Sequence, residues 1–330
     1  MSLLEIKNLV TSFKSEQGKV QAVRGIDISV DTGEIVGIVG ESGSGKSQSM
    51  YSVMGLLNQN GFIEDGSIVF DGKEISPIKF EGSEKEYEKY MESIRGNTIS
   101  MIFQDPMSFL NPVLSIEKQL VEPLKNHRKM TKAELHQKAV ELLTQVGIPS
   151  PEERLKQYPH QLSGGMRQRV IIAIALACTP KLIIADEPTT ALDVTIQAKI
   201  IELIKNLKEQ INSGVILITH DLGVVASACN RIYIMYGGKI VESGTADEIF
   251  YEGVHPYTKG LLGCVNNPEE EKELRPIPGS PPDLIAPPKG CPFVDRCENA
   301  MKVCKLYMPE KKKLSETHEA RCWLLQKGEI

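Results

Sequence analysis

What the chain lacks narrows its class first. No stretch reaches the roughly twenty apolar residues that a membrane span requires; the best candidate, Val170 to Cys178, stops at Thr179-Pro180-Lys181. No charged-then-apolar leader opens the sequence, so no secretory signal is expected. A basic excess is missing too. The formal net charge of −5 argues against nucleic acid as the main partner, because a phosphate backbone selects a basic face. Paired C-x2-C spacings are absent, although seven cysteines are present, an odd number, with Cys178, Cys229 and Cys264 scattered. The expected compartment is a reducing cytoplasm, where clustered cysteines point to metal more than to disulfides. What remains, 41% hydrophobic and 25% charged residues over 330 positions, is an ordinary soluble globular composition, and the length alone suggests two domains.

One octapeptide organises the rest. Gly40-Glu41-Ser42-Gly43-Ser44-Gly45-Lys46-Ser47 reads GxxxxGK[ST]. It follows Glu34 to Gly40, an apolar β-branched run expected to be a buried parallel strand, and precedes Gln48 to Leu57, whose Met50, Val53, Met54 and Leu57 recur at helical spacing. Strand, glycine turn and helix together make a phosphate cradle. The glycines let successive N–H groups turn inward, and the positive end of the helix adds to the anion site. In that cradle Lys46 reaches the β- and γ-phosphates and Ser47 ligates Mg²⁺. Gly40, Ser42, Gly43, Ser44, Gly45 and Gln48 complete the expected nucleotide contacts.

Along the chain, Leu3 to Phe13 and Val20 to Val30 read as strands around a turn at Gly18. Phe13 closes the first; an aromatic there can stack on a base or simply fill core. Ser67 to Phe70, ending at Asp71-Gly72, suggests a short edge strand, and Ile78 to Gly96 a polar surface helix. Thr98 to Phe103 reads as a buried strand delivering Gln104, suited to bind metal or water or to cap a helix. From Asp105 to Cys178 the pattern is helical. Thr131 and Glu134 form a capping box before a face of Leu135, Ala139, Leu142, Leu143 and Val146, and Gly147 ends that helix. Leu162-Ser163-Gly164-Gly165-Met166-Arg167-Gln168-Arg169 opens a second apolar helix with Ser163 as N-cap. Lys181 to Ala185 is a buried strand that presents Asp186 and Glu187 at its C-terminal end, where ligands bind in open α/β sheets. Asp186 is expected to hold Mg²⁺ through water and Glu187 to deprotonate an attacking water. Val215 to Thr219 is a further strand ending in His220-Asp221, and Arg231 to Met235 and Lys239 to Glu242 form a hairpin through Gly237-Gly238.

GESGSGKS, IFQDP, LSGGMRQR, LIIADEP, TTALD and LITHD, in that order and spacing, resemble the nucleotide-binding subunit of an ATP-binding-cassette (ABC) transporter from about Leu3 to Phe250. The resemblance implies an α/β ABC-type P-loop NTPase with a RecA-like core, an antiparallel β subdomain, an α-helical signature subdomain at about 105–178, and a small C-terminal extension. It implies a nucleotide-binding domain over 1–252 and an extension over 253–330. By the same resemblance Phe13 stacks on adenine, Gln104 senses Mg²⁺ and water, Glu187 is the catalytic base and His220 reads the γ-phosphate. Ser163, Gly164, Gly165 and Gln168 would face ATP on a partner cassette, and Asp193 lies in a dimer-contact loop. Met166 departs from the glutamine common after LSGG.

Past Glu252, His255-Pro256-Tyr257-Thr258, Pro278 to Pro282 and Gly290 to Cys297 resemble the C-terminal region of dipeptide and oligopeptide permease ATPases. That implies ATP-driven peptide import with a paralogous second ATPase subunit, two membrane permease subunits and, indirectly, an extracellular or periplasmic peptide-binding protein. The expected location is the cytoplasmic face of the membrane, as a peripheral subunit. A chromosome or DNA-repair ATPase, a translation-type ABC protein and an importer for another solute such as nickel are the alternatives. The first carries long coiled coils before its signature, where this chain has only about a hundred residues; the second has two cassettes in one chain.

Cys291, Cys297, Cys304 and Cys322 are spaced C-x5-C-x6-C-x17-C. Four thiolates suit zinc or an iron–sulfur cluster, and the surrounding Pro- and Lys-rich segment needs a staple to order itself. Similar peptide-permease ATPases carry a [4Fe–4S] cluster at such cysteines, so a structural cluster is expected; zinc, a disulfide or free thiols also fit the spacing.

Overall fold

A computed structural model describes residues 2–80, 82–104, 109–190, 193–264 and 276–326. Asp105 and Pro106 of the IFQDP motif and Ala191 and Leu192 of TTALD lie outside the described residues. The chain divides into two compact units. A helical unit holds Asp31–Glu34 and Gly82–Leu217, and a phosphate-loop unit holds Ser2–Val30, Ile35–Glu81 and Ile218–Ile330.

In the phosphate-loop unit, β1 (Ser2–Ser15) and β2 (Gly18–Asp31) form the expected opening strands. They join β4 (Gly61–Phe70) and β5 (Lys73–Glu74) in a four-stranded sheet of order β2-β1-β4-β5. The strand expected at Ser67 is therefore neither short nor at an edge. It begins six residues earlier at Gly61 and lies between β1 and β5. Its first half mixes Phe62 and buried Ile63 with exposed Glu64 and Asp65 and with Gly61 and Gly66, so hydrophobic pattern alone does not reveal it. The second sheet of this unit runs β11-β12-β10-β9-β3, with β3 (Ile35–Val39), β9 (Arg231–Tyr236), β10 (Lys239–Thr245), β11 (Lys312–Lys313) and β12 (Glu319–Ala320). β3 pairs parallel to β9 and is buried throughout, which is why it reads as one continuous apolar run. β9 turns into β10 through Gly237 and Gly238, at φ 51° and 77°, the left-handed pair that a two-residue hairpin turn needs. α1 (Lys46–Met54) starts inside the octapeptide and stops at a left-handed Gly55, short of the expected Leu57.

The helical unit contains β6 (Ile99–Ile102) parallel to β7 (Leu182–Asp186). Its helices include α2 (Glu84–Ile94), α3 (Ile116–His127), α4 (Lys132–Gln145), α5 (Pro151–Leu155), α6 (Gly164–Leu176) and α7 (Val194–Ile211). α2 is shorter than the expected 78–96 because a capping box of Ser83 and Glu86 starts it. α4 begins at the Thr131–Glu134 box and ends before Gly147 at φ 73°. α6 is apolar almost all round, as a helix buried on several sides must be. β8 (Gly214–Thr219) passes from the helical unit into the phosphate-loop unit, and α8 (Leu222–Ala228) follows it, capped by Asp221.

The C-terminal segment belongs to the phosphate-loop unit. α9 (Ala246–Glu252) and α10 (Pro256–Gly263) lead into it, and α11 (Lys302–Leu306) lies within it. β12 extends the sheet by pairing with β10. Beneath that edge Glu242, 1% exposed, accepts from Val254 N–H at 2.8 Å, His255 N–H at 3.0 Å and His318 Nε2 at 2.8 Å. One carboxylate thus ties both ends of the segment to β10. Replacing His318 with Ala removes one partner from a buried carboxylate and is expected to lower stability by about 3 kcal/mol, read as an earlier midpoint in urea denaturation. An unchanged midpoint would show that Glu242 does not need this partner.

Candidate functional site

The octapeptide is a turn pressed against two neighbouring backbones. A Cβ on Gly40 would lie 2.0 Å from the Met235 carbonyl oxygen, and one on Gly45, at φ 101°, 2.3 Å from that of Ala22. Only glycine fits at either position. Gly238 N–H donates to the Ser44 carbonyl at 3.0 Å, so the hairpin turn also holds the loop. Lys46 is 5% exposed, and its Nζ donates to the carbonyls of Gly40 at 2.7 Å and Glu41 at 2.9 Å. Its charge is therefore kept inside the turn. Gly45 caps α1 with its backbone alone, having no side chain to bond the first turn. The Ser44 hydroxyl is buried without a hydrogen-bond partner among the described residues, Ser42 and Gly43 are exposed, and Ser47 and Gln48 are half-buried. An inward, cationic, glycine-lined turn that opens a helix is a phosphate site. Phe13 is half-exposed and lies across Gly61, where an added Cβ would meet the ring at 2.5 Å. The structure thus supplies a packing reason for the aromatic and leaves part of its surface open.

In the helical unit, Asp186 is 1% exposed at the end of β7. Glu187 follows in the left-handed region at φ 46°, a conformation that a non-glycine residue holds only when its surroundings impose it. Those surroundings include two donors to Glu187 Oε2, from Gln104 Nε2 at 2.9 Å and Thr190 Oγ1 at 2.9 Å. Gln104 and Glu187, far apart in sequence, are thus brought together. Thr190 was not signalled by its pattern; its place in the tight turn after Glu187 is the only clue. Ser163 N-caps α6 by accepting from Met166 N–H at 3.4 Å, with Ser163 and Gly164 exposed and Gly165 half-buried. Gln168 does not share that exposed face. It is 1% exposed and donates from Nε2 to the Pro188 carbonyl at 2.7 Å, tying the signature helix to the turn after Glu187 instead of reaching outward. Its place one helical turn along α6 directs it inward. Asp193 is exposed and N-caps α7 through Ile196 N–H at 2.9 Å. In the phosphate-loop unit, His220 is exposed directly after β8.

The four cysteines of the extension line one small cavity, together with His255, Phe293 and Trp323. Cys291, Cys304 and Cys322 are buried and Cys297 is half-buried. Burial pushes the Cys291 thiol up to about 12 and raises those of Cys297 and Cys322. Against that, each sulfur is met by a backbone N–H: Cys291 by Phe293, Cys297 by Asn299, Cys322 by Leu324, and Cys304 by Met301 at 3.4 Å. Cys291 Sγ also lies 4.0 Å from His255 Nε2. Burial holds His255 neutral, at about 3, and its Nδ1 accepts from Tyr257 N–H, so Nε2 carries the ring proton. Among the described residues, no group of three or more His, Cys, Asp or Glu side chains is placed to hold a metal ion. The four cysteines share a cavity but are not gathered as a ligand shell, so the expected metal centre gains no support from this arrangement.

Residues 23–190 match the family model described as ABC transporter, and residues 241–304 match that of the oligopeptide/dipeptide transporter C-terminal region. The chain is 53% identical, over 98% of its length and 89% of the relative's, to the oligopeptide transport ATP-binding protein OppD of Bacillus subtilis. It is 52% identical to the dipeptide transport ATP-binding protein DppD of the same organism, over 98% and 94% of the two chains. Among solved structures, a dimeric ATP-binding cassette in a post-hydrolysis state bound to ADP and Pi superposes with a TM-score of 0.63 at 28% identity, covering 74% of this chain and 98% of that one.

The turn geometry predicts unequal glycines. Gly45→Ala meets the Ala22 carbonyl and is expected to weaken nucleotide binding about tenfold or more, the effect of at least about 1.4 kcal/mol of strain. Gly43→Ala shares a positive φ of 77° but finds no atom within 4 Å, and is expected to lose less. Equilibrium binding of labelled ATP with Mg²⁺ checks the order; equal losses would contradict it.

Proposed function

The chain belongs to the ABC transporter family, and we propose that it binds and hydrolyses ATP to drive peptide import through separate membrane permease subunits. The observation that carries the ATPase reading is Glu187, a carboxylate fixed by Gln104 and Thr190 on a strained backbone one residue past the buried Asp186. The match of residues 241–304 to the peptide-transporter C-terminal region supports the substrate class.

In this reading the loop from Gly40 to Gln48 wraps the phosphates with backbone N–H groups. Lys46 exchanges its carbonyl partners for the β- and γ-phosphates, and Phe13 packs on the adenine. Ser47, Gln104 and Asp186 would offer hydroxyl, amide and carboxylate oxygens, the hard donors that Mg²⁺ takes, and Mg²⁺ would supply charge to offset that of the phosphates. Glu187 accepts a proton from the attacking water, and Gln104 and Thr190 aim its carboxylate. His220 faces the γ-phosphate. Ser163, Gly164 and Gly165 meet ATP held by a second cassette, a paralogue, while Asp193 lies at that dimer contact. No helix among the described residues is long and apolar enough to cross a membrane, and the chain acts peripherally at the cytoplasmic face. Nucleotide binding spans about 1–252, with 105–178 moving against the permease, and the extension spans 253–330. A peptide-binding protein outside the membrane delivers the cargo.

Cys291, Cys297, Cys304 and Cys322 are the ligands of a [4Fe–4S] cluster in this reading. Four soft thiols lining one cavity are the donor set that such a cluster takes. Bound, the cluster would cross-link a segment whose own apolar core is small.

Glu187→Gln keeps the shape but cannot take a proton. Turnover is expected to fall at least about a hundredfold with ATP binding retained; unchanged hydrolysis would remove Glu187 from the base role. Protein purified anaerobically is expected to contain iron and sulfide, both lost in Cys297→Ser/Cys304→Ser together with a lower melting temperature. Stoichiometric zinc, or no metal at all, would overturn the cluster.

A further inference from the structure

Glu41, the second residue of the octapeptide, is gripped from both ends by the C-terminal segment. On the side-chain end, Arg296 Nη1 donates to Glu41 Oε2 at 2.6 Å. The guanidinium is 6% exposed and has no slack. Its Nε donates to the Pro278 carbonyl at 2.8 Å, Nη2 to the Ile277 carbonyl at 3.1 Å, and Nη1 also to Tyr236 Oη at 3.1 Å. On the backbone end, Glu41 N–H donates to Tyr257 Oη at 2.8 Å, and Tyr257 is fully buried. Tyr236, Tyr257 and Phe293 pack ring against ring, with centroids 4.5 to 5.3 Å apart, and keep both partners in place.

Both grips start at the cysteine cavity. Arg296 directly precedes Cys297 in the chain. Tyr257 donates its N–H to His255 Nδ1, and His255 Nε2 faces Cys291. Glu41 in turn accepts Lys46 Nζ on its carbonyl. A continuous set of contacts therefore runs from two of the four cysteines to the cation of the phosphate loop. An arginine with all three nitrogens engaged acts as a rigid fork and not as a loose surface charge. It is rigid enough to pass on a change in the ordering of the segment that holds it.

We infer that Arg296 and Tyr257 are positioning residues of the phosphate loop, through which the four-cysteine segment sets the loop's affinity for ATP. The inference rests on reading the octapeptide as the ATP-phosphate site. It assigns the extension a part in nucleotide binding, beyond that of a C-terminal appendage.

The test uses the full-length chain and labelled ATP with Mg²⁺. Wild-type binding is the control on the ATP-site reading itself; no binding there would overturn that reading and the inference built on it, whereas the outcomes below overturn the inference alone. Arg296→Ala, Tyr257→Phe and Glu41→Ala are each expected to raise Kd about tenfold, within the usual range of coupling between sites. In Arg296→Ala and Tyr257→Phe, turnover at saturating ATP should stay within about twofold, because both residues lie outside the phosphate loop and the Glu187 group is untouched. Arg296→Lys should recover only part of the affinity, as a point charge cannot fill the fork. Arg296→Ala/Glu41→Ala should be no worse than the poorer single variant. Cys297→Ser should raise Kd in the wild-type background and add nothing in the Arg296→Ala background. Unchanged Kd in Arg296→Ala and Tyr257→Phe, even with a lower melting temperature, would reduce both residues to structural ties and overturn the inference. Additive effects of Cys297→Ser and Arg296→Ala would break the link to the cysteines. If Arg296→Ala does not fold, Tyr257→Phe, which deletes a single acceptor, decides alone.

Discussion

A phosphate loop binds anions with its own backbone, so the chain must be bent tightly and then held still. Here the bend is imposed from outside. The carbonyls of Met235 on β9 and Ala22 on β2 press on Gly40 and Gly45 at distances that leave no room for a side chain. Gly238 N–H fastens Ser44 to the β9–β10 turn. The two sheets of the phosphate-loop unit thus meet at one glycine-rich turn, and the buried β3 delivers it. Everything else in that unit serves this constraint. The inward, glycine-lined turn admits phosphate oxygens, and Lys46 waits on carbonyls that phosphate can replace.

The helical unit solves a different problem, the orientation of a base. A carboxylate after a strand can swing freely unless its backbone and side chain are both held. The left-handed backbone at Glu187 fixes one, and the hydrogen bonds from Gln104 and Thr190 fix the other. Gln168 adds a link from the signature helix to the Pro188 carbonyl. Residues that would answer a partner's nucleotide, at Ser163, are thereby one helical turn from the loop that follows the base. Strain at Glu187 is of the kind that persists at functional sites, where the surrounding structure over-determines it.

The extension is not a loose tail. Its β12 lengthens the sheet, Glu242 anchors both of its ends, and Arg296 and Tyr257 reach the phosphate loop. Its thiols share a cavity whose backbone N–H groups favour thiolate, while burial opposes it. A group that neutralises that conflict would bind there with folding energy behind it.

The sequence by itself determined the local elements and the chemistry they carry. Continuous apolar runs marked β3, β6, β7 and β8, capping boxes marked α4, and Gly237-Gly238 marked the hairpin, because each depends on residues within a few positions of one another. The octapeptide, LSGG and the paired acids named the family for the same reason. Tertiary structure decided what those elements meet. β4 proved longer and internal because pairing with β1 outweighs its weak pattern. Gln168 turned inward because α6 is packed on several sides. Thr190 and Glu187 joined through a turn that no periodicity describes. Above all, Arg296 found Glu41 across 255 positions of chain. Such a pair leaves no trace in spacing or composition, since the fold alone brings its two halves within a hydrogen bond.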